Sequence, residues 1–235
     1  MVPDPLADLA QLEGVSAAVE SARDAVDAVL RDRGMRPVSV EQSATALLAG
    51  ARASAALSES PDRWLAGSVR LSTELVPLSS LIRVSPGQAI ARAHALAAHG
   101  QLPDEELGRI RGGELISARL LGLNRLLSEP TTASAVILAA VAHAELATVA
   151  PFGTADAIVA RAVEHMVLIA SGVDPRAVIV PEVGHLMLRQ TYEPALAGYR
   201  TASVSGVRGW LLHCAQALVR GAEASPLAQA PAGDK

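Results

Sequence analysis

Aromatic residues are scarce in this chain. Two Trp, two Tyr and one Phe are spread over 235 residues, too few for the stacking platforms on which single-stranded nucleic acids are bound. Basic residues are not in excess: 20 Lys and Arg stand against 24 Asp and Glu, for a net charge of −4. A broad cationic face is therefore excluded, and no nucleic-acid partner is expected. Cysteine occurs once, at Cys214, so no intramolecular disulfide can form and a reducing compartment fits. Long apolar runs are missing too. The longest uncharged one, near 133–142, is about half of the roughly 20 residues that a membrane span needs. The opening MVPDPLADL has neither a basic nor an apolar signal region. The expectation is a cytoplasmic protein with no membrane association. Walker A, Gly-x-Gly-x-x-Gly and Gly-x-Ser-x-Gly patterns are also missing, which removes the usual phosphate-loop, dinucleotide and serine-hydrolase readings.

Half of the residues are hydrophobic, and alanine, the strongest helix former, is abundant. Apolar residues recur at helical spacing at Val15, Val19, Ala22, Val26, Val29 and Leu30, predicting an amphipathic first helix ended by Gly34 and Pro37. Ser39 to Gln42 is a capping-box pattern opening a second helix to about 57. A third helix is predicted over 64–82, with an interruption near Pro77. Ser85, Pro86 and Gln88 start a fourth that ends at Gly100. Further helices are expected over 114–127, from Pro130 to about 149, from Thr154 to a stop at Gly172, and over 182–190, 193–200 and 203–223. No segment has a strand period. The predicted fold is all-α, with an N-terminal helical layer over 1–84, a core over 85–223 and a disordered tail over 224–235.

Residues 143–161 concentrate the functional signal. A long apolar helix breaks at Ala150 and Pro151, a short loop follows, and a new helix begins at Thr154 or Ala155. Loops that deliver into a helix N-terminus are natural phosphate sites, because the first N–H groups are unpaired and the dipole is positive there. The segment APFGTADAIVAR at 150–161 resembles the HPFxDGNGRxxR motif of the Fic (Fido) family without a gap. Pro151, Phe152 and Arg161 match it. His143, Leu146 and Val149 fall on the HxxFxxI helix that precedes it in that family. Gly108 to Arg111 resembles the family's G-x-[YFL]-R before its target-binding flap, and Thr191 to Leu196 with Trp210 and Leu211 resembles its C-terminal helices. Thr45 to Gly50 has the spacing of its inhibitory helix, [ST]xxxE[GN], with Ala49 where the Glu would be.

The resemblance implies a Fic-like helical fold and an activity that transfers AMP or another phosphate-containing group to a hydroxyl. The residues at the matching positions argue against that chemistry. Ala150 stands where the family has its catalytic His and cannot act as a base. Thr154 replaces the acidic metal ligand. Ala155, Asp156 and Ala157 replace the Gly-Asn-Gly cradle, and Ile158 replaces the phosphate-binding Arg. Asp156 in the first turn satisfies the positive helix end and repels an anion. After Arg111 comes Gly112-Gly113 and then a helix, leaving almost no flap.

The expected function is thus a catalytically degenerate Fic-fold protein, a binding or regulatory module with no catalytic residue, no metal and no cofactor. Its partner would be an unidentified protein or a second copy of itself. Pro151, Phe152, Gly153, Thr154, Ala155, Asp156, Ala157 and Arg161 are the candidate ligand-cleft residues, and Thr45, Ala49 and Gly50 the degenerate inhibitory motif. Two alternatives stay open: a divergent nucleotidyl or phosphoryl transferase using Arg161, Asp156 and Thr154 with a nucleotide and Mg²⁺, and a helical adaptor.

Other polar residues read as structural. His143 is expected to bond a neighbouring backbone group, Arg161 to pair with Glu164 or Asp156, and Asp156 to be a helix-start acid. His94 and His99 with Asp104, Glu105 and Glu106 are expected on a solvated face. His165, His185 and His213 fall on separate helices without ligand spacing, so no metal site is expected. Cys214 is expected to be an inert core thiol.

Overall fold

A computed structural model describes residues 4, 6–31 and 38–228 of the chain. Among these residues the protein is all-helical, with eleven α-helices and two short 3₁₀ turns. They are α1 (Val15–Arg31), α2 (Val40–Ala56), α3 (Pro61–Thr73), α4 (Leu75–Ile82), α5 (Pro86–Ala98), α6 (Glu114–Ser128), α7 (Ala135–Val149), α8 (Asp156–Ala170), α9 (Pro181–Met187), α10 (Arg189–Arg200) and α11 (Val204–Glu223).

Helices α7 and α8 form the centre. A helix that is apolar on all sides must be covered on all sides, and these two meet that condition differently. In α7, Val136 to Ala144 are buried without a break. In α8, Ile158 to Ile169 are all buried, including Arg161, Glu164 and His165. The two pack on each other; α4 and α5 cover α8, while α10 and α11 lie against α7. Helix α11 also holds α1, α9 and α10, and its Trp210 is fully buried with the indole N–H donating to the Ala140 carbonyl at 2.7 Å.

Several start signals act as the sequence predicts. Ser39 and Gln42 form both bonds of the capping box. The helix expected over 203–223 starts at Val204, with Ser203 as a cap that the sequence reading did not single out, accepting from Gly206 N–H. Gly172 has φ +74, and Val173 N–H bonds back to Leu168 in the Schellman manner. Others differ for physical reasons. The predicted helix over 64–82 starts earlier, at Pro61, and has the interruption expected near Pro77: Pro77 has no N–H for the carbonyl of Thr73, and the chain breaks at Glu74. Pro130 does not open α7. Thr131 and Thr132 are engaged by the Asp4 carboxylate, and Ser134 caps the helix at Val136 instead. Ser85 makes no side-chain cap bond, so only the Pro86 part of that signal operates. The tail expected from 224 is still packed at Ser225, whose hydroxyl donates to the Val178 carbonyl, and at Leu227. Gly34 and Pro37, the expected stop of α1, lie outside the described residues, as do residues 229–235.

Small residues set the helix spacings. A Cβ placed on Gly184 of α9 would stand 1.8 Å from the Ala217 carbonyl oxygen of α11. Backbone cannot yield that space without moving a helix. Gly184→Ala is expected to lower unfolding stability by about 2 kcal/mol or more. Gly209→Ala, on the same α11 with nothing near its Cβ direction, should instead raise it by roughly 0.5–1 kcal/mol through helix propensity. Urea denaturation of the two variants measures both.

Candidate functional site

The loop joining α7 to α8 is built from backbone that alanine adopts reluctantly. Ala150 ends α7 at φ +47, Gly153 has φ +77, and Ala155 precedes α8 at φ +54. A left-handed conformation costs a residue with a Cβ roughly 1–2 kcal/mol, so the surroundings must hold this loop in place. They do so with three sets of contacts.

The first is Asp156. Its carboxylate accepts from Phe152 N–H at 2.9 Å and lies beside the Gly153 N–H. The loop's amide donors therefore face an anion that the protein itself supplies. Burial raises the Asp156 pKa to about 6, and the two backbone N–H groups and Arg111 oppose the rise. The second is Arg111, from the short segment before α6. Its N–H donates to the Pro151 carbonyl at 2.8 Å, and its guanidinium donates to the Ala150 carbonyl. Its side chain also lies against Gly153, where a Cβ would meet it at 3.0 Å. The third is His94 of α5, stacked on Phe152 with ring centres 4.0 Å apart. Its Nδ1 accepts from Gly108 N–H at 2.9 Å, so its proton lies on Nε2 and points to the Thr154 hydroxyl at 3.2 Å. Burial holds the His94 pKa below its usual value.

His94 is thus buried rather than on a solvated face, because Phe152, the only Phe, needs a flat partner. Thr154 does not cap α8. The cap position falls on Ala155, which has no side chain to offer, and the Thr154 hydroxyl is turned to His94. Pro151 and Phe152 are buried, Gly153 and Ala157 are exposed, and Thr154, Ala155 and Asp156 are half-buried. Beside them lies a surface cavity of about 250 Å³ lined by Leu102, Glu106, Arg109, Ile110, Arg111, Phe152 and Thr154.

Arg161 is not part of this group. It is 1% exposed and pairs with neither Glu164 nor Asp156. Its guanidinium donates to the Ser54 hydroxyl and carbonyl at 2.9 and 2.8 Å and to the Tyr192 hydroxyl at 3.2 Å. The cation thereby fastens α2 to α8 and α10. Of the 45–50 segment on α2, Thr45 is exposed and bonds the Glu41 carbonyl, Ala49 is half-buried, and Gly50 is buried against Glu182 and Val180. Leu47 and Gly50 line, with Ile158, a small cavity of about 20 Å³.

A second group of polar side chains escaped the sequence reading. His143 bonds side chains, not backbone: Nδ1 lies 2.5 Å from Glu164 Oε2, and Nε2 lies 2.8 Å from the Tyr192 hydroxyl. His185 Nε2 lies 2.8 Å from the same Glu164 oxygen, and His185 Nδ1 is 3.1 Å from His213 Nε2. The helices α7, α8, α9, α10 and α11 each contribute one member. Burial lowers the His143 pKa to about 4. Burial works to raise the Glu164 carboxyl, and the pull of His185 and His143, with their hydrogen bonds, outweighs it and holds the carboxyl below its usual range. On the neighbouring position, His165 lies 3.0 Å from Glu182 and 3.8 Å from Asp174. Burial opposes its charge, but those carboxylates raise it to about 10. The one sequence signal was the presence of charged and imidazole residues inside the uninterrupted apolar pattern of α7 and α8. Cys214 is buried as expected, and burial pushes its thiol pKa up.

Asp156 carries a pH signature. A carboxyl raised from 3.8 to about 6 on folding favours the folded state most when protonated, so its contribution is complete below about pH 3.8 and is lost as pH rises through about 6. The Phe152 amide resonance is expected to titrate with a midpoint near 6. Asp156→Asn should remove that transition; a midpoint near 4 would mean that the carboxylate is solvated and not engaged with the loop.

No protein-family model matches this chain, and no curated protein matches its sequence.

Proposed function

We propose that this protein is a catalytically degenerate Fic-fold module that binds a protein partner and does not transfer phosphate-containing groups. The observation that carries the reading is the Asp156 carboxylate, which accepts the Phe152 N–H at 2.9 Å and lies beside that of Gly153. In an anion-binding loop those donors would face the ligand. Here they face a carboxylate of the same chain, and an incoming phosphate would meet a like charge.

Three further features support it. Ala150, at the position of the family's base, ends α7 with a methyl group and a carbonyl already bonded to Arg111. Ala155 keeps a left-handed backbone at a position where the Fic motif has glycine, which fits descent from a loop of that shape. Leu47 and Gly50 line one small cavity with Ile158, which fits the placement that the resemblance implies for an inhibitory helix and its target position. Binding is favoured over catalysis because the cavity beside the loop has an apolar rim at Ile110, which is 43% exposed, and α6 next to it exposes Leu115 and Leu121. Exposed apolar side chains of this size are the usual material of a protein contact.

Incubation of the purified protein with labelled ATP, GTP, CTP and UTP and Mg²⁺ is expected to give no label on itself or on lysate proteins. Its thermal midpoint should not shift with any of these nucleotides, since a ligand bound only by the folded state must raise it. Label transfer that Asp156→Ala abolishes would overturn the reading in favour of a divergent transferase.

A further inference from the structure

The group of His143, Glu164 and His185 lies deeper in α7, α8 and α9 than the loop does. All three side chains are buried, and one ligand-type atom from each lies within 4.8 Å of the others. We propose that His143 Nδ1, Glu164 Oε2 and His185 Nε2 form a binding site for a first-row divalent transition cation of the zinc type.

The donor set selects the ion. Two imidazoles and one carboxylate suit zinc and its neighbours, whereas Mg²⁺ and Ca²⁺ demand oxygen ligands. The geometry is close to what such an ion needs. Ligand atoms about 2.0–2.2 Å from a tetrahedral zinc stand a little over 3 Å apart. Glu164 Oε2 stands 2.5 and 2.8 Å from the two imidazole nitrogens because it receives a proton from each. An ion replaces those two contacts, and the carboxylate withdraws slightly to reach coordination distance.

The surroundings are arranged as they are around metal-bound imidazoles, whose second nitrogen is fixed by a hydrogen bond. His143 Nε2 faces the Tyr192 hydroxyl at 2.8 Å, and His185 Nδ1 faces His213 Nε2 at 3.1 Å. The proton inventory on the His185 side points the same way. The Thr191 hydroxyl is 3.0 Å from the Leu188 carbonyl and 3.2 Å from His213 Nδ1, and one hydroxyl proton cannot serve both acceptors. If His185 carries its proton on Nε2 toward Glu164, His213 must donate from Nε2, and its Nδ1 then competes for that proton. With an ion on His185 Nε2, the His185 proton moves to Nδ1 and donates to His213 Nε2. His213 then donates from Nδ1 to Thr191, and Thr191 donates to Leu188. Each contact has one proton. On the other side the His143 proton moves to Nε2 and Tyr192 accepts it, which costs the donation that Tyr192 now makes. Both imidazoles stay neutral, and no proton is gained or lost. On the α10–α11 side the hydrogen-bonded chain from His185 runs through His213 to Thr191, which is exposed.

The test uses full-length protein stripped with a chelator and desalted, then titrated with Co²⁺ and with Zn²⁺. The expected result is visible d–d absorption that saturates at one Co²⁺ per chain, is displaced by Zn²⁺, and accompanies a rise in thermal midpoint. Glu164→Gln and His185→Gln, checked for helicity by circular dichroism, should weaken binding at least tenfold. His99→Gln, at an exposed position away from the cluster, should not. Absence of the cobalt bands in the wild-type protein overturns the site whatever the variants do, and binding that survives Glu164→Gln in a folded variant, or that His99→Gln removes, overturns it as well.

Discussion

Two opposite charges buried on one helix constrain most of this structure. Arg161 and Glu164 lie on α8 at 1% and 3% exposure, and neither touches the other. The cation is satisfied by Ser54 and Tyr192, the anion by His143 and His185. Tyr192 and His143 are themselves hydrogen-bonded, so the two charges are joined through a phenol and an imidazole. Removing one member of a buried charged network strands the rest without water, typically at 3–5 kcal/mol. Four helices must therefore meet α8 in one register. The positions of α2, α7, α9 and α10 around it follow from side-chain chemistry as much as from apolar packing.

That rigid centre bears on the loop at its end. With α7 and α8 fixed, the six residues between them must turn sharply, and two alanines and a glycine take left-handed backbone to do so. Asp156, Arg111 and the His94–Phe152 stack supply what offsets the strain. The contacts that keep the loop folded also turn its Phe152 N–H onto a carboxylate and its Ala150 carbonyl onto a guanidinium of the same chain.

Much of this was legible in the sequence, and what was missed has a common cause. Helical periodicity and local caps at Ser39 and Gly172 depend on neighbours a few residues away, and these placed most elements. The all-α class followed from the same local signals. The break between α7 and α8 at 150–155 was visible because its signals are contiguous. What periodicity could not give was any partner distant in sequence. His94 and Phe152 are brought together by α5 and the loop from α7 to α8, and Asp4 reaches Thr131 and Thr132. His143, Glu164, His185, Tyr192 and His213 come from five helices. Arg161 was read with charges three or five positions away, yet its partners lie at Ser54 and Tyr192. A charged residue within an unbroken apolar helix indicates a buried network, but spacing alone does not name its members.

The claim that the loop is occupied by its own carboxylate is tested most directly by the amide resonances of Phe152 and Gly153 during titration with pyrophosphate and Mg²⁺ at neutral pH. In the wild-type protein they should not move. In Asp156→Ala, where the Phe152 N–H loses its acceptor, both should shift in a saturable manner. Saturable shifts in the wild-type protein would contradict the account, since the loop would then accept a phosphate with Asp156 in place.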